Sequence, residues 1–190
     1  DPFEVKNILK YWALSEKQDF HVIPTDTISI SIDKDAVLRS GIMLPDSIRH
    51  LKGKELKNAI PDKIYISLKD MRILTKVDML MLEMLANCNW ERPLYMAISV
   101  GEVSKLKFDH YFVQEGLAFR FTPFDYKKWG NVKGDNNYAI DVERLYENVM
   151  NRYKYGGLDT PGLYLDETTL RTCYYHRRLF AQLAKELIRQ

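Results

Sequence analysis

The chain has 190 residues, 46% of them hydrophobic and 28% charged, which suffices for one well-cored domain or one domain with a short appendage. Its 28 basic and 26 acidic residues are mixed along the chain and leave a formal net charge of +2, without the single-sign field that nucleic-acid or anionic-lipid binding draws on. Cys88 and Cys173 match no zinc-ligand spacing and neither establish nor exclude an oxidising compartment, no apolar run approaches the roughly 20 residues of a membrane span, and Asp1-Pro2-Phe3 is no signal peptide.

Asp1 and Pro2 fit the cap and first turn of a short helix ending near Leu14, with Phe3, Val5, Ile8, Leu9 and Trp12 inward. After His21-Val22-Ile23-Pro24-Thr25, residues Thr27 to Ile32 alternate Ile28, Ile30 and Ile32 with Thr27, Ser29 and Ser31, which predicts a strand with one wet face. Residues 41–62 carry few periodic apolar positions and many Lys, Pro and Gly, and read as a surface excursion. Lys63 to Leu68 alternates again and can pair with the isoleucine strand as an antiparallel ribbon.

Thr75 to Ser99 organises the rest. Thr75 and Asp78 have the spacing of a capping box, in which each side chain satisfies an orphan N–H at the helix start. Val77, Leu80, Met81, Met84, Leu85 and Cys88 then recur at helical spacing, with Met79 and Leu82 widening the stripe, so the helix is expected to be buried between layers. Asn87, Asn89 and Trp90 end it, Pro93 cannot continue a helix, and Leu94 to Ile98 reads as a central strand.

Beyond the polar stretch to His110, Leu117, Phe119 and Phe121 share one face of a further strand. Residues 123–137, with Gly, Asn, Trp129 and a Lys pair, read as a mobile loop. Asp141 is placed to cap a helix carrying Val142, Leu145, Tyr146, Val149, Met150 and Tyr153, stopped by Gly156-Gly157. Asp166 caps a last helix, where Arg177 falls inside the stripe Leu170, Tyr174, Ala181, Ala184 and Ile188; a guanidinium there predicts a carboxylate partner, Glu115 or Asp166. The fold class is therefore α/β (α+β): a single domain with a small mixed sheet of about four or five strands flanked by helices. Residues 1–165 form the soluble α/β domain, and 166–190 a long C-terminal helix that can begin a helical-repeat region.

The four histidines, at 21, 50, 110 and 176, lack metal-binding spacing, and no glycine motif fits a phosphate cradle, so neither metal nor cofactor is expected in this stretch. Glu115 with Asp166 and Glu167 is the one carboxylate grouping that glycoside chemistry could use. Trp90, Glu91, Arg92, Tyr164, Asp166, Arg171, Arg177 and Arg178 lie near element ends and would suit a polar binding pocket, aromatics stacking on sugars and Arg or carboxylates holding hydroxyls and anions. The ordinary alternative for the same residues is a salt-bridge network locking the last helix to the sheet.

Several blocks together resemble a known family. Ile23-Pro24-Thr25, Val37-Leu38-Arg39-Ser40-Gly41, Asp78-Met79-Leu80 through Asn89-Trp90-Glu91-Arg92-Pro93-Leu94-Tyr95, Glu115-Gly116-Leu117-Ala118-Phe119-Arg120, residues 148–157 and Tyr164-Leu165-Asp166-Glu167 are similar to the C-terminal soluble region of a bacterial family of multi-spanning membrane proteins. That family, formerly a domain of unknown function, is related to the eukaryotic protein O-mannosyltransferases. Met96 departs from it where an aromatic is expected, a core exchange. The resemblance implies a C-type glycosyltransferase using a lipid-phosphate-linked sugar, with the catalytic acid in an early extracytoplasmic loop. The chain starts without methionine and reads as an excised fragment outside that loop, so no catalytic residue carries over. It implies a periplasmic accessory domain of an inner-membrane protein, with its own transmembrane region, an acceptor protein or glycan, and downstream helical repeats as partners. A non-enzymatic scaffold module is the rival reading, and a self-contained carbohydrate-active enzyme a weaker third.

Overall fold

The computed structural model describes residues 1–13, 16, 23, 25–69, 71, 73–100, 106, 109–132, 138–158 and 160–189, the side chains of Trp12 and Ala13 excepted. The expected helix end at Leu14, the lead-in around His21, Val22 and Pro24, most of the polar stretch after Val100 and the end of the 123–137 segment lie outside the described residues.

The fold is mixed α/β, with its strands divided between two sheets. β1 (Thr27–Ser31) and β2 (Lys63–Ser67) form the antiparallel ribbon that their alternation predicts, Ile28 opposite Ile66 and Ile30 opposite Ile64, all four buried. Each such side chain contributes about 1.5–3 kcal/mol by leaving water. The other face is less wet than alternation suggests: Ser29 is also buried, because the segment before α1 (Val5–Ile8) lies across it and the Ser29 N–H donates to the Phe3 carbonyl at 3.0 Å. α1 continues as a π-helical stretch, Leu9–Ala13.

α2 (Lys34–Arg39) is capped by the Asp33 carboxylate. The expected surface excursion, residues 41–62, is instead pinned to the core through Ile42, Ile48 and Ile60, and it contains α3 (Gly53–Ala59). α4 (Lys76–Asn87) begins at the reciprocal Thr75/Asp78 capping box. It is covered on one side only: Leu82, Leu85 and Ala86 are buried, whereas Val77, Leu80 and Met84 face outward.

The second sheet has the order β3-β5-β4-β6, with β3 (Tyr95–Ala97), β5 (Ala118–Phe121) and β4 (Phe112–Gln114) antiparallel and β6 (Ala139–Ile140) parallel to β4. β3 is thus an edge strand, not the central one its apolar run suggests; the central pair is β5 and β4, whose residues are almost all buried. The described part of the expected mobile loop, residues 123–132, is packed against the core. Phe124 and Tyr126 are fully buried, Phe124 makes edge contacts with Tyr126 and Trp129, and the Tyr126 hydroxyl donates to the Met43 carbonyl. Aromatic burial of this size overrides the turn-forming composition.

Asp141 caps α5 (Val142–Tyr146), which passes into a π-helical turn, Glu147–Arg152. α6 (Glu167–Arg189) starts at Asp166, whose carboxylate accepts the Thr169 N–H at 2.9 Å. Leu145 and Val149 pack on Leu179 and Leu183 of α6 as a small second core. Arg177 has no carboxylate partner among the described residues: the buried line of α6 is Leu179, Leu183 and Glu186, and the stripe holding Arg177 faces outward.

Candidate functional site

Glu115 sits in the corner after β4, its carboxylate buried. Gly116 follows with φ of +144°, and a Cβ there would strike the Tyr153 hydroxyl, which accepts the Leu117 N–H at 2.9 Å. This turn aims Glu115 at the side chains of β3, β5 and α5. Its carboxylate accepts from the Tyr95 hydroxyl at 2.9 Å and from Arg144 at 3.0 Å, with Arg120 at 3.5 Å. A buried carboxylate needs such donors, since an unpaired charge in the interior is prohibitively costly.

The two arginines carry the cluster onward. Arg120, itself buried, donates to the Ser40 carbonyl at 2.7 Å, and its Nε has no hydrogen-bond partner among the described residues. Arg144 donates to the Gly41 carbonyl and faces Asp141 at 3.4 Å. Three segments distant in sequence, 40–41, 115–120 and 141–144, are thereby tied by charge-assisted hydrogen bonds, each about twice as strong as a neutral one. Burial holds the Asp141 carboxyl above the ordinary aspartate range, against the pull of the Arg144 N–H and guanidinium. Desolvation and then the Glu115 hydrogen bond push the Tyr95 phenol up.

Beside this cluster opens a cavity of about 660 Å³ between the 41–49 segment, the start of α5 and the end of α6. Acid–arginine pairs one helical turn apart border it: Asp46 with Arg49 at 3.2 Å, Asp141 with Arg144 at 3.4 Å and Glu186 with Arg189 at 2.9 Å, with Glu143 as a further carboxylate. Charges of both signs line the cavity together with the Tyr138 ring. Such a lining suits a polar ligand of low net charge better than a polyanion. No group of three or more metal-ligating side chains occurs among the described residues.

The residues singled out in the sequence are not gathered here, Glu115 excepted. Trp90 is buried, its indole N–H donating to the Ser31 carbonyl at 3.1 Å and its ring stacked on Phe121. Arg92 lines a narrow crevice with Trp90 and Arg120 but is itself exposed. Tyr164 is 89% exposed, Asp166 is the α6 cap, and Glu167 pairs with Arg171 at 2.9 Å in solvent. Arg177 and Arg178 point outward from α6. Glu115 bonds Tyr95, Arg120 and Arg144, Asp166 bonds Thr169 and Glu167 bonds Arg171, so the three carboxylates share no bonded partner among the described residues. The sequence reading missed Tyr95, Arg120, Asp141 as a site member, and Arg144. The readable signal was the repeated acid-x-x-Arg spacing at 46/49, 141/144 and 186/189.

A family model described as TMEM260-associated domain 2 matches residues 4–143, more than half of the chain. The chain belongs to the TMEM260-associated domain 2 family. The match takes in both sheets, Glu115, Arg120 and Asp141, and ends one residue before Arg144. The α5–α6 pair that completes the cavity thus lies almost wholly beyond the TMEM260-associated domain 2 match. No curated protein and no solved structure matches the chain. None of the helices among the described residues is long and apolar enough to cross a membrane.

Proposed function

We propose that this domain is a non-catalytic, extracytoplasmic accessory part of a multi-spanning membrane glycosyltransferase of the protein O-mannosyltransferase type, standing in the periplasm of a bacterial cell and positioning the acceptor or bracing the catalytic membrane region. The family membership carries the reading: a domain associated with a membrane protein acts together with that protein's membrane part. The bordered cavity adds a place for contact, since paired carboxylates and guanidiniums offer donors and acceptors side by side to a polar, weakly charged acceptor segment or its glycan. The lipid-linked donor and the catalytic acid belong to the membrane region in this reading.

The test is made in the parent protein, scoring sugar on the acceptor and the amount of parent protein in the membrane together. Deleting the domain is expected to lower transfer while the membrane region persists. Arg49→Ala and Glu143→Ala, both at exposed positions on the cavity rim, separate the two roles: lost transfer with either assigns positioning, and loss on deletion alone assigns bracing. Unchanged transfer on deletion would overturn the proposal in favour of a scaffold module, and glycoside turnover by the purified domain would overturn it in favour of an enzyme.

A further inference from the structure

The outward face of α6 carries a pattern that its own domain does not use. Leu170, Tyr174, Arg177, Ala181, Ala184 and Ile188 follow one another at alternating spacings of four and three residues. That is one residue per about 3.5, a continuous line along the helix that can meet the seam of a second helix. The buried line Leu179, Leu183 and Glu186 lies on the opposite side, so the repeat is no by-product of internal packing. Ile188 is 86% and Tyr174 64% exposed, and both alanines are exposed too, leaving room for a second backbone to come close.

The ranks flanking this seam are unlike. On one side stand Cys173, Phe180 and Leu187; on the other Arg171, Arg178 and Lys185, all basic. Arg171 is held by Glu167, whereas Arg177, Arg178 and Lys185 have no ion-pair partner among the described residues. Charge decides what can cover such a face. A second copy laid antiparallel would set basic flank against basic flank, and one laid parallel would set Arg177 against Arg177 inside the seam; both arrangements repel.

We propose that this face docks an amphipathic α-helix of a partner protein, apolar and small along its seam and carrying carboxylates opposite Arg177, Arg178 and Lys185. From Leu170 to Ile188 the seam runs about 27 Å at 1.5 Å per residue, enough for five helical turns of contact. The apolar seam supplies the attraction, and the basic flank selects the partner and its direction. This inference stands apart from the reading of the cavity and survives its failure.

The probe is a labelled three-heptad synthetic helix with a Leu/Ala seam, made with Glu at its flanks or with Lys there, and titrated with the full 190-residue chain by fluorescence anisotropy. The Glu helix is expected to bind about tenfold more tightly than the Lys helix, and the gap to narrow in high salt as attraction to the one and repulsion of the other are both screened. Reversing Arg178→Glu with Lys185→Glu is expected to invert the preference, a result that an unfolded variant cannot give. Ile188→Asp, with helical content unchanged by circular dichroism, is expected to abolish binding of the Glu helix. Equal binding of both helices, or binding of neither, would overturn the proposal. So would a concentration-dependent dimer of the chain alone that Ile188→Asp dissociates, because that assigns the face to a second copy.

Discussion

Trp90 holds a left-handed backbone, φ +62°, directly after Asn89 at φ +48°. A non-glycine residue in that region costs about 1–2 kcal/mol, and two in succession persist only where the surroundings over-determine them. Here the indole does so, through its bond to the Ser31 carbonyl and a stack on Phe121 with ring centroids 5.5 Å apart. Trp90 is thus an anchor joining the end of α4 to both sheets, and Trp90→Ala is expected to cost about 3–5 kcal/mol in a urea titration; a loss below 1 kcal/mol would assign it to the surface. Asp141 offers a second residue-level test. Its folded pKa lies above the ordinary aspartate value of 3.8, so the folded state holds this proton more tightly than the unfolded chain does. Its contribution to stability is therefore largest below the ordinary value, declines as pH rises to the folded pKa, and is flat above it. Carbon-detected titration should place the Asp141 midpoint above 3.8, and Arg144→Ala should move it further up, because the guanidinium pulls it down while Glu115 and Glu143 push it up. A midpoint that falls, or stays put, on that substitution would show that burial alone sets it.

The start of α4 is where sequence and structure agree most closely, because a capping box is local chemistry. The Asp78 carboxylate accepts the Thr75 N–H at 2.8 Å, and the Thr75 hydroxyl accepts the Asp78 N–H at 3.3 Å. Thr75→Ala should cost about 1 kcal/mol of stability and Thr75→Ser should be nearly neutral, read as shifts in the denaturation midpoint; equal losses would mean that the methyl group, not the hydroxyl, matters. The caps at Asp141 and Asp166 and the isoleucine ribbon were legible for the same reason: each depends on neighbours a few residues away or on strict alternation. What a stripe faces was not legible. Periodicity reports that apolar residues share a side of α4 or α6, but Val77, Leu80 and Met84 on one, and Leu170, Tyr174 and Ile188 on the other, turned out to look away from the core. Strand order escaped as well, since β3 reads as a buried run yet, among the described residues, pairs with β5 alone. The Glu115 cluster was beyond reach for a further reason: Tyr95, Arg120 and Arg144 meet it only after the sheet and α5 have assembled.

At the scale of the molecule, the described residues form two apolar cores of unequal size. The large one spans both sheets, α1, α2 and α4; the small one is Leu145, Val149, Leu179 and Leu183 between α5 and α6. The join between them is mostly polar: Arg144 to Glu115, the Asn148 amide donating to the Glu115 carbonyl at 2.6 Å, and Leu117 N–H to Tyr153, with Leu117, Ile98 and Ile140 packed at the margin. The two neutral hydrogen bonds each contribute about 0.5–1.5 kcal/mol net and the charged one about 1.5–3, so the polar join together matches only about two fully buried aliphatic side chains, far fewer than the large core holds. The α5–α6 pair should therefore open as a unit before the sheets do. Native-state hydrogen exchange on the full chain should show α6 amides exchanging at a lower opening free energy than those of β4 and β5. Leu183→Ala, which removes a buried contact of the small core, should lower the α6 value by about 2–4 kcal/mol, or to full exposure where less than that is available, and leave β4 and β5 nearly unmoved. A uniform fall across α6 and the sheet would mean that the two cores unfold as one. That outcome would make the polar join as cooperative as the apolar packing, and would place the cavity it borders inside a single rigid body rather than at a hinge.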